Sequence, residues 1–143
     1  MRYLLPSMLL APLVLALLGP TPVRAELPPD AYRDMQQRAP EAVALRVKAV
    51  ETSICWFWLC DGRDVVVQAE LTGVTRSAAG LKPGDRIEIR YRHVPLGGRS
   101  GPRPIRIVSE GEATPAFLEK EPAGHFRPAA RGASFQALVE RRR

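Results

Sequence analysis

The chain is poor in the residue types that announce chemistry. Among its 143 residues are two cysteines and two histidines, and lysine stands only at Lys48, Lys82 and Lys120. His93 and His125 are far apart, and no acid is spaced to orient either one, so no acid–base triad can be read. Gly98-Arg99-Ser100-Gly101 falls one residue short of a nucleophile elbow and has no strand–turn–helix setting. Neither histidine lies near the cysteines, and two thiolates alone do not complete a zinc site, so no metal and no cofactor is expected. The acids are mostly scattered singly, and there is no internal repeat. An enzyme is therefore the less supported reading. Aromatic residues make up only 6%. Their placement is uneven, because both tryptophans fall between the two cysteines in Cys55-Trp56-Phe57-Trp58-Leu59-Cys60.

The one long apolar run opens the chain. Arg2 precedes Tyr3 to Leu18, and Val23-Arg24-Ala25 follows; these are the parts of a secretory signal with cleavage after Ala25. A membrane anchor fits less well, since Pro6 and Pro12 interrupt the run and a spanning helix wants about 20 apolar residues. No Arg-Arg pair precedes the run, and no cysteine follows it to carry a lipid. An exported protein, periplasmic or secreted, is the expectation. Residues 26–143 then form one small domain. Losing Arg2 and Arg24 lowers the formal charge from +6 to +4, because residues 1–25 contain no acid. Export and this modest charge argue against nucleic acid. They are compatible with an envelope protein, an anionic envelope component or a membrane surface.

Residues 26–41 read as an extension with a short helix from Ala31 to Arg38, with Asp30 as its cap and Pro40 as its stop. Tyr32 and Met35 would share the face laid against the main fold. Val43, Leu45 and Val47 alternate with polar or small residues in a first strand, and the phase shifts at Ala49-Val50, which implies a bulge or sharp bend. Val65, Val67, Ala69 and Leu71 give a second strand, with Gly73 as a bend. Leu81-Lys82-Pro83-Gly84-Asp85 is a turn. Ile87, Ile89 and Tyr91 then face one way, while Arg86, Glu88, Arg90 and Arg92 face the other. Residues 94–104 hold too much glycine and proline for regular structure. Ile105 and Ile107 open a further strand, Ala116 to Leu118 make another, and Phe126 to Pro128 pair back as an edge. In residues 129–143, Phe135, Leu138 and Val139 have the spacing of a helical face before the tail Arg141-Arg142-Arg143.

The fold class expected is all-β and mainly antiparallel: a small five-stranded barrel over residues 42–128 with short terminal helices. Strand number, the two bends and the Gly80-Leu81-Lys82-Pro83-Gly84-Asp85 approach to a strand resemble the OB-fold and the related netrin-type and metalloproteinase-inhibitor barrels. The inhibitor family places a metal-binding cysteine at its mature end. Glu26 would stand there in this chain, so the resemblance implies architecture and not that activity.

Export makes a Cys55–Cys60 disulfide the default pairing. So small a ring contributes only about 2 kcal/mol, enough to shape a loop. The alternative is thiol–disulfide exchange. Active pairs of that kind have two intervening residues at a helix N-terminus, whereas this pair has four among strands. Trp56, Phe57 and Trp58 either finish the core or form an exposed tip. Arg86, Arg90 and Arg92 lie on a wet strand face, as a solvated cross-strand ladder or as an anion-binding patch. The function expected is a non-catalytic exported binding module that uses the aromatic segment and the adjacent basic face. The alternatives are a redox protein and a peripheral membrane-surface binder.

Overall fold

The structure, a computed structural model, describes residues 26–54 and 61–140. The elements are α1 (Pro29–Arg38), β1 (Glu41–Ile54), β2 (Arg63–Ser77), β3 (Arg86–His93), β4 (Ala113–Lys120), β5 (Phe126–Pro128) and a 3-10 turn, Arg131–Ala133. The strands close into one barrel in the order β1-β2-β3-β5-β4. All neighbours are antiparallel except β3 and β5, which meet in parallel at Ile89 and Phe126. A small closed five-strand barrel of this order is compatible with an OB-like fold.

Period-two alternation builds the barrel interior. Leu45, Val67, Ile89, Ala116 and Leu118 are fully buried, joined by Val43, Val47, Val65, Ala69, Leu71, Ile87 and Phe126. Burying each large aliphatic side chain contributes on the order of 1.5–3 kcal/mol. The phase shift in β1 is a bulge: Val47 pairs with Ala69 and Ala49 with Gln68, leaving Lys48 over. Before it Val43, Leu45 and Val47 face the core; after it Val50 does so. Gly73 sits at a second irregularity, where Ala44 pairs with Gly73 but Leu45 with Leu71. The ladder is therefore irregular at both places the sequence marks, at Lys48 in β1 and at Gly73 in β2.

Four expectations are corrected. Asp30 is not the cap of α1: the helix begins at Pro29 after Pro28, whose extended backbone sets the entry, and Asp30 lies in the first turn, where its charge suits the helix dipole. Residues 105–111 form no strand. They cross one end of the barrel with Val108 buried and Ile105 and Ile107 packed on the core. Side chains satisfy their carbonyls, since Tyr91 Oη donates to Arg106 O at 2.9 Å and His93 Nδ1 to Ile105 O at 2.6 Å. β5 is no edge, because it lies between β3 and β4 and completes the closure. The last correction concerns Phe135, Leu138 and Val139, which share no helical face. In a helix Val139 N–H would bond Phe135 O. Instead it donates to Gln36 Oε1, while Phe135 O accepts from Arg106 at 2.9 and 3.1 Å. Only the turn Arg131–Ala133 is helical there.

α1 packs Tyr32 and Met35 against Ala130, Ala133 and Phe117. The Tyr32 hydroxyl accepts the Arg103 N–H at 2.7 Å, and the Arg103 guanidinium lies 5.3 Å from the ring centre. Arg76 closes the other end of the helix by donating to Ala39 O at 2.7 and 2.9 Å and to Gln36 O at 3.1 Å.

Candidate functional site

The far end of the β1–β2 arm is where the aromatic segment joins the barrel. Cys55, Trp56, Phe57, Trp58 and Cys60, including the expected disulfide, lie outside the described residues, as do the expected signal at 1–25 and the tail at 141–143. The structure does place the two ends from which the segment springs. Ile54 is the last residue of β1 and pairs with Arg63, which pairs in turn with His93 at the end of β3. Ile54 is 70% exposed, Val94 40% and Leu96 37%. Three of the four exposed large apolar side chains among the described residues are thus at one end of the barrel, the end that leads into Trp56-Phe57-Trp58.

Close backbone packing holds this end together. Gly62 has φ of 112°, and a Cβ on it would stand 2.5 Å from His93 O and 3.0 Å from Val94 Cγ2. Only glycine lets the start of β2 approach the end of β3 so closely. Arg99 Nη2 meets Asp61 Oδ2 at 2.5 Å and ties the loop after β3 to the same place. His93 must donate through Nδ1, because its partner is a carbonyl, so its role there is structural. Val94 and Leu96 were missed in the sequence. Isolated apolar residues in a Gly/Pro-rich loop, where no strand or helix face needs them, were the available signal.

Arg86, Arg90 and Arg92 stand exposed on the outer face of β3 and are largely matched by acids. Arg90 Nε bonds Glu88 Oε1 at 2.6 Å, and Arg92 makes two bonds to Asp64, at 3.0 and 3.3 Å. Arg86 pairs in register with Glu70, which also meets Lys48 at 3.0 Å. The Lys48 hydrogen bond and charge hold the Glu70 carboxyl below its ordinary range, with Arg86 adding to the effect. Gln68 and then Arg90 do the same for Glu88. The face is a cross-strand ladder of alternating charge, adjoining the apolar tip at Asp64 and Arg92.

Elsewhere, an open groove of about 270 Å³ between α1 and the outer side of β1 and β4 is lined by Ala42, Pro115, Phe117 and Leu138. Its polar neighbours Gln36 and Arg76 are already engaged in the bonds described above. Glu41 is buried with Oε1 accepting from Ala79 N–H at 2.9 Å, while Oε2 has no hydrogen-bond partner among the described residues. Among the described residues no group of three or more His, Cys, Asp or Glu is placed to hold a metal, and no helix is long and apolar enough to cross a membrane. In comparisons with protein-family models, with curated proteins and with solved structures, the chain matches none.

Proposed function

We propose that the protein is an exported, non-catalytic binding module that contacts a protein or other component of the cell envelope through the end of its β1–β2 arm. The contact surface comprises Ile54, the Trp56-Phe57-Trp58 segment, Val94 and Leu96, with Arg86, Arg90 and Arg92 on the adjoining outer face. The observation that carries this reading is that Ile54, Val94 and Leu96, all exposed, lie at the same end of the barrel, the end from which the tryptophan segment leaves β1. Solvent-exposed apolar residues scattered singly need no explanation, but three at one end of a barrel, next in the chain to a tryptophan-rich sequence, support an interaction surface there. The OB-like strand order supports it further, since the loop between the first two strands is a common binding element of such barrels. The arginine ladder contributes orientation more than affinity, because its charges are mostly paired.

The test is co-sedimentation of the purified protein with envelope fragments, untreated and protease-treated. The double variant Val94→Ser/Leu96→Ser should lose about tenfold in retention, roughly 1.4 kcal/mol, with an unchanged far-UV spectrum. Protease treatment separates a protein partner from a lipid or polymer one. Retention of the folded double variant at the level of the original chain removes the proposal.

A further inference from the structure

Among the described residues, only the first half of β1 has neighbours on both sides. From Glu41 to Arg46 it lies between β2 and β4, and Val47 exchanges bonds with Glu112 O at 2.8 Å and Gly111 N at 2.9 Å. Beyond the bulge at Lys48, residues 49–54 pair with β2 alone. Among the described residues no backbone group bonds the other side of this stretch. The barrel is closed, yet it carries a six-residue strand edge about 20 Å long whose outward N–H and C=O groups have no partner among the described residues. Natural edges are usually blunted by proline, charged side chains or bulges. Beyond the bulge at Lys48, Ala49-Val50-Glu51-Thr52-Ser53-Ile54 contains no proline and a single charge, Glu51, and residues 51–54 are exposed.

We propose that this edge pairs antiparallel with the same edge of a second copy of the chain, so that the β3-β2-β1 sheet continues across a two-fold axis at Thr52. A second copy is the favoured occupant because the edge complements itself in one register. With Thr52 opposite its own counterpart, Val50 faces Ile54 of the other copy, Ile54 faces Val50, and Glu51 faces Ser53. Apolar and β-branched residues then cover one another on a single face, as stabilising cross-strand pairs do. Neighbouring registers lose this match. A slip of one residue puts Val50 opposite Ser53, which joins apolar to polar. A slip of two in one direction brings the two Glu51 side chains directly opposite, and like charges so placed repel. The isologous contact closes on itself, so the assembly stops at two copies. Its small area places it among weak, concentration-dependent associations.

Sedimentation equilibrium of the protein over a wide concentration range tests the proposal without any envelope component, so the outcome is independent of the binding function. The apparent mass should rise toward twice the monomer value. Thr52→Lys and Thr52→Glu each put like charges face to face at the axis and should each weaken association by about tenfold or more. An equimolar mixture of the two variants should recover it, because opposite charges now meet. A wild-type chain that stays monomeric throughout overturns the proposal. Association of Thr52→Lys equal to wild type, or a mixture no stronger than the variants alone, overturns it as well.

Discussion

Val139 donates its backbone N–H to Gln36 Oε1 at 2.8 Å, and the same side chain returns its Nε2 to Ala133 O at 2.8 Å and Ala137 O at 3.2 Å. Gln36 is fully buried, so one helical side chain supplies three bonds to a segment nearly a hundred residues away. These bonds anchor the C-terminal segment on α1 in place of the helix its spacing suggests.

Replacing Gln36 by Leu keeps the volume and removes all three bonds. The partner groups are then left without partners in a partly dry site, at a cost of about 2–3 kcal/mol. Urea unfolding should show the loss. Limited proteolysis should release the segment after Ala133 faster than in the parent. A change below half of that figure would mean that water reaches these groups freely.

Tyr32→Phe is a narrower probe. The ring and its contact with the Arg103 guanidinium remain, while the Arg103 N–H loses its 2.7 Å acceptor. A stability loss of about 1 kcal/mol is expected. Hydrogen exchange at the Arg103 amide should accelerate well beyond what that loss explains. Uniform acceleration across the barrel would show instead that the bond is merely one part of global stability.

Much of the architecture was legible because a strand writes its burial every second residue. Val43, Leu45 and Val47, then Val50, marked both the inward face of β1 and its bulge, and Ile87 and Ile89 marked that of β3. Ile105 and Ile107 carry the same alternation in a segment with no ladder. Alternation reports which side is dry, and the partner of the backbone is decided by Tyr91 and His93, distant in the sequence. The helix expected at Phe135–Val139 failed for a related reason, since Gln36 and Arg106 take the groups that helical bonds would use. At the candidate site the aromatic segment and the arginines were visible as residue types. The presence of exposed Val94 and Leu96 at the same barrel end as Ile54 depends on the register of three strands, which no local pattern records.

Tyr91 gives the barrel a limit at high pH. Its half-buried ring lies 5.6 Å from that of Phe135, and burial pushes the phenol up to about 12 from 10.0. The unfolded chain releases this proton first as pH rises. Stability present below pH 10 should therefore decline between pH 10 and about 12. Tyr91→Phe should flatten that part of the profile, as read by thermal melts at stepped pH. An unchanged slope in the variant would assign the decline to other groups.

Gly62 and Gly124 separate two reasons for glycine. Both have positive φ, 112° and 95°, so an alanine at either position meets backbone strain of about 1–3 kcal/mol. At Gly124 a Cβ would meet nothing within 4 Å, whereas at Gly62 it would stand 2.5 Å from His93 O. Gly62→Ala should therefore cost clearly more than Gly124→Ala, because the end of β3 must also move away. That movement displaces Val94, part of the proposed contact surface. Envelope retention should fall with Gly62→Ala and stay intact with Gly124→Ala, even under conditions in which both proteins remain folded. Equal stability losses in the two variants would mean that the β2–β3 end yields easily, and equal retention would detach the tip's geometry from binding.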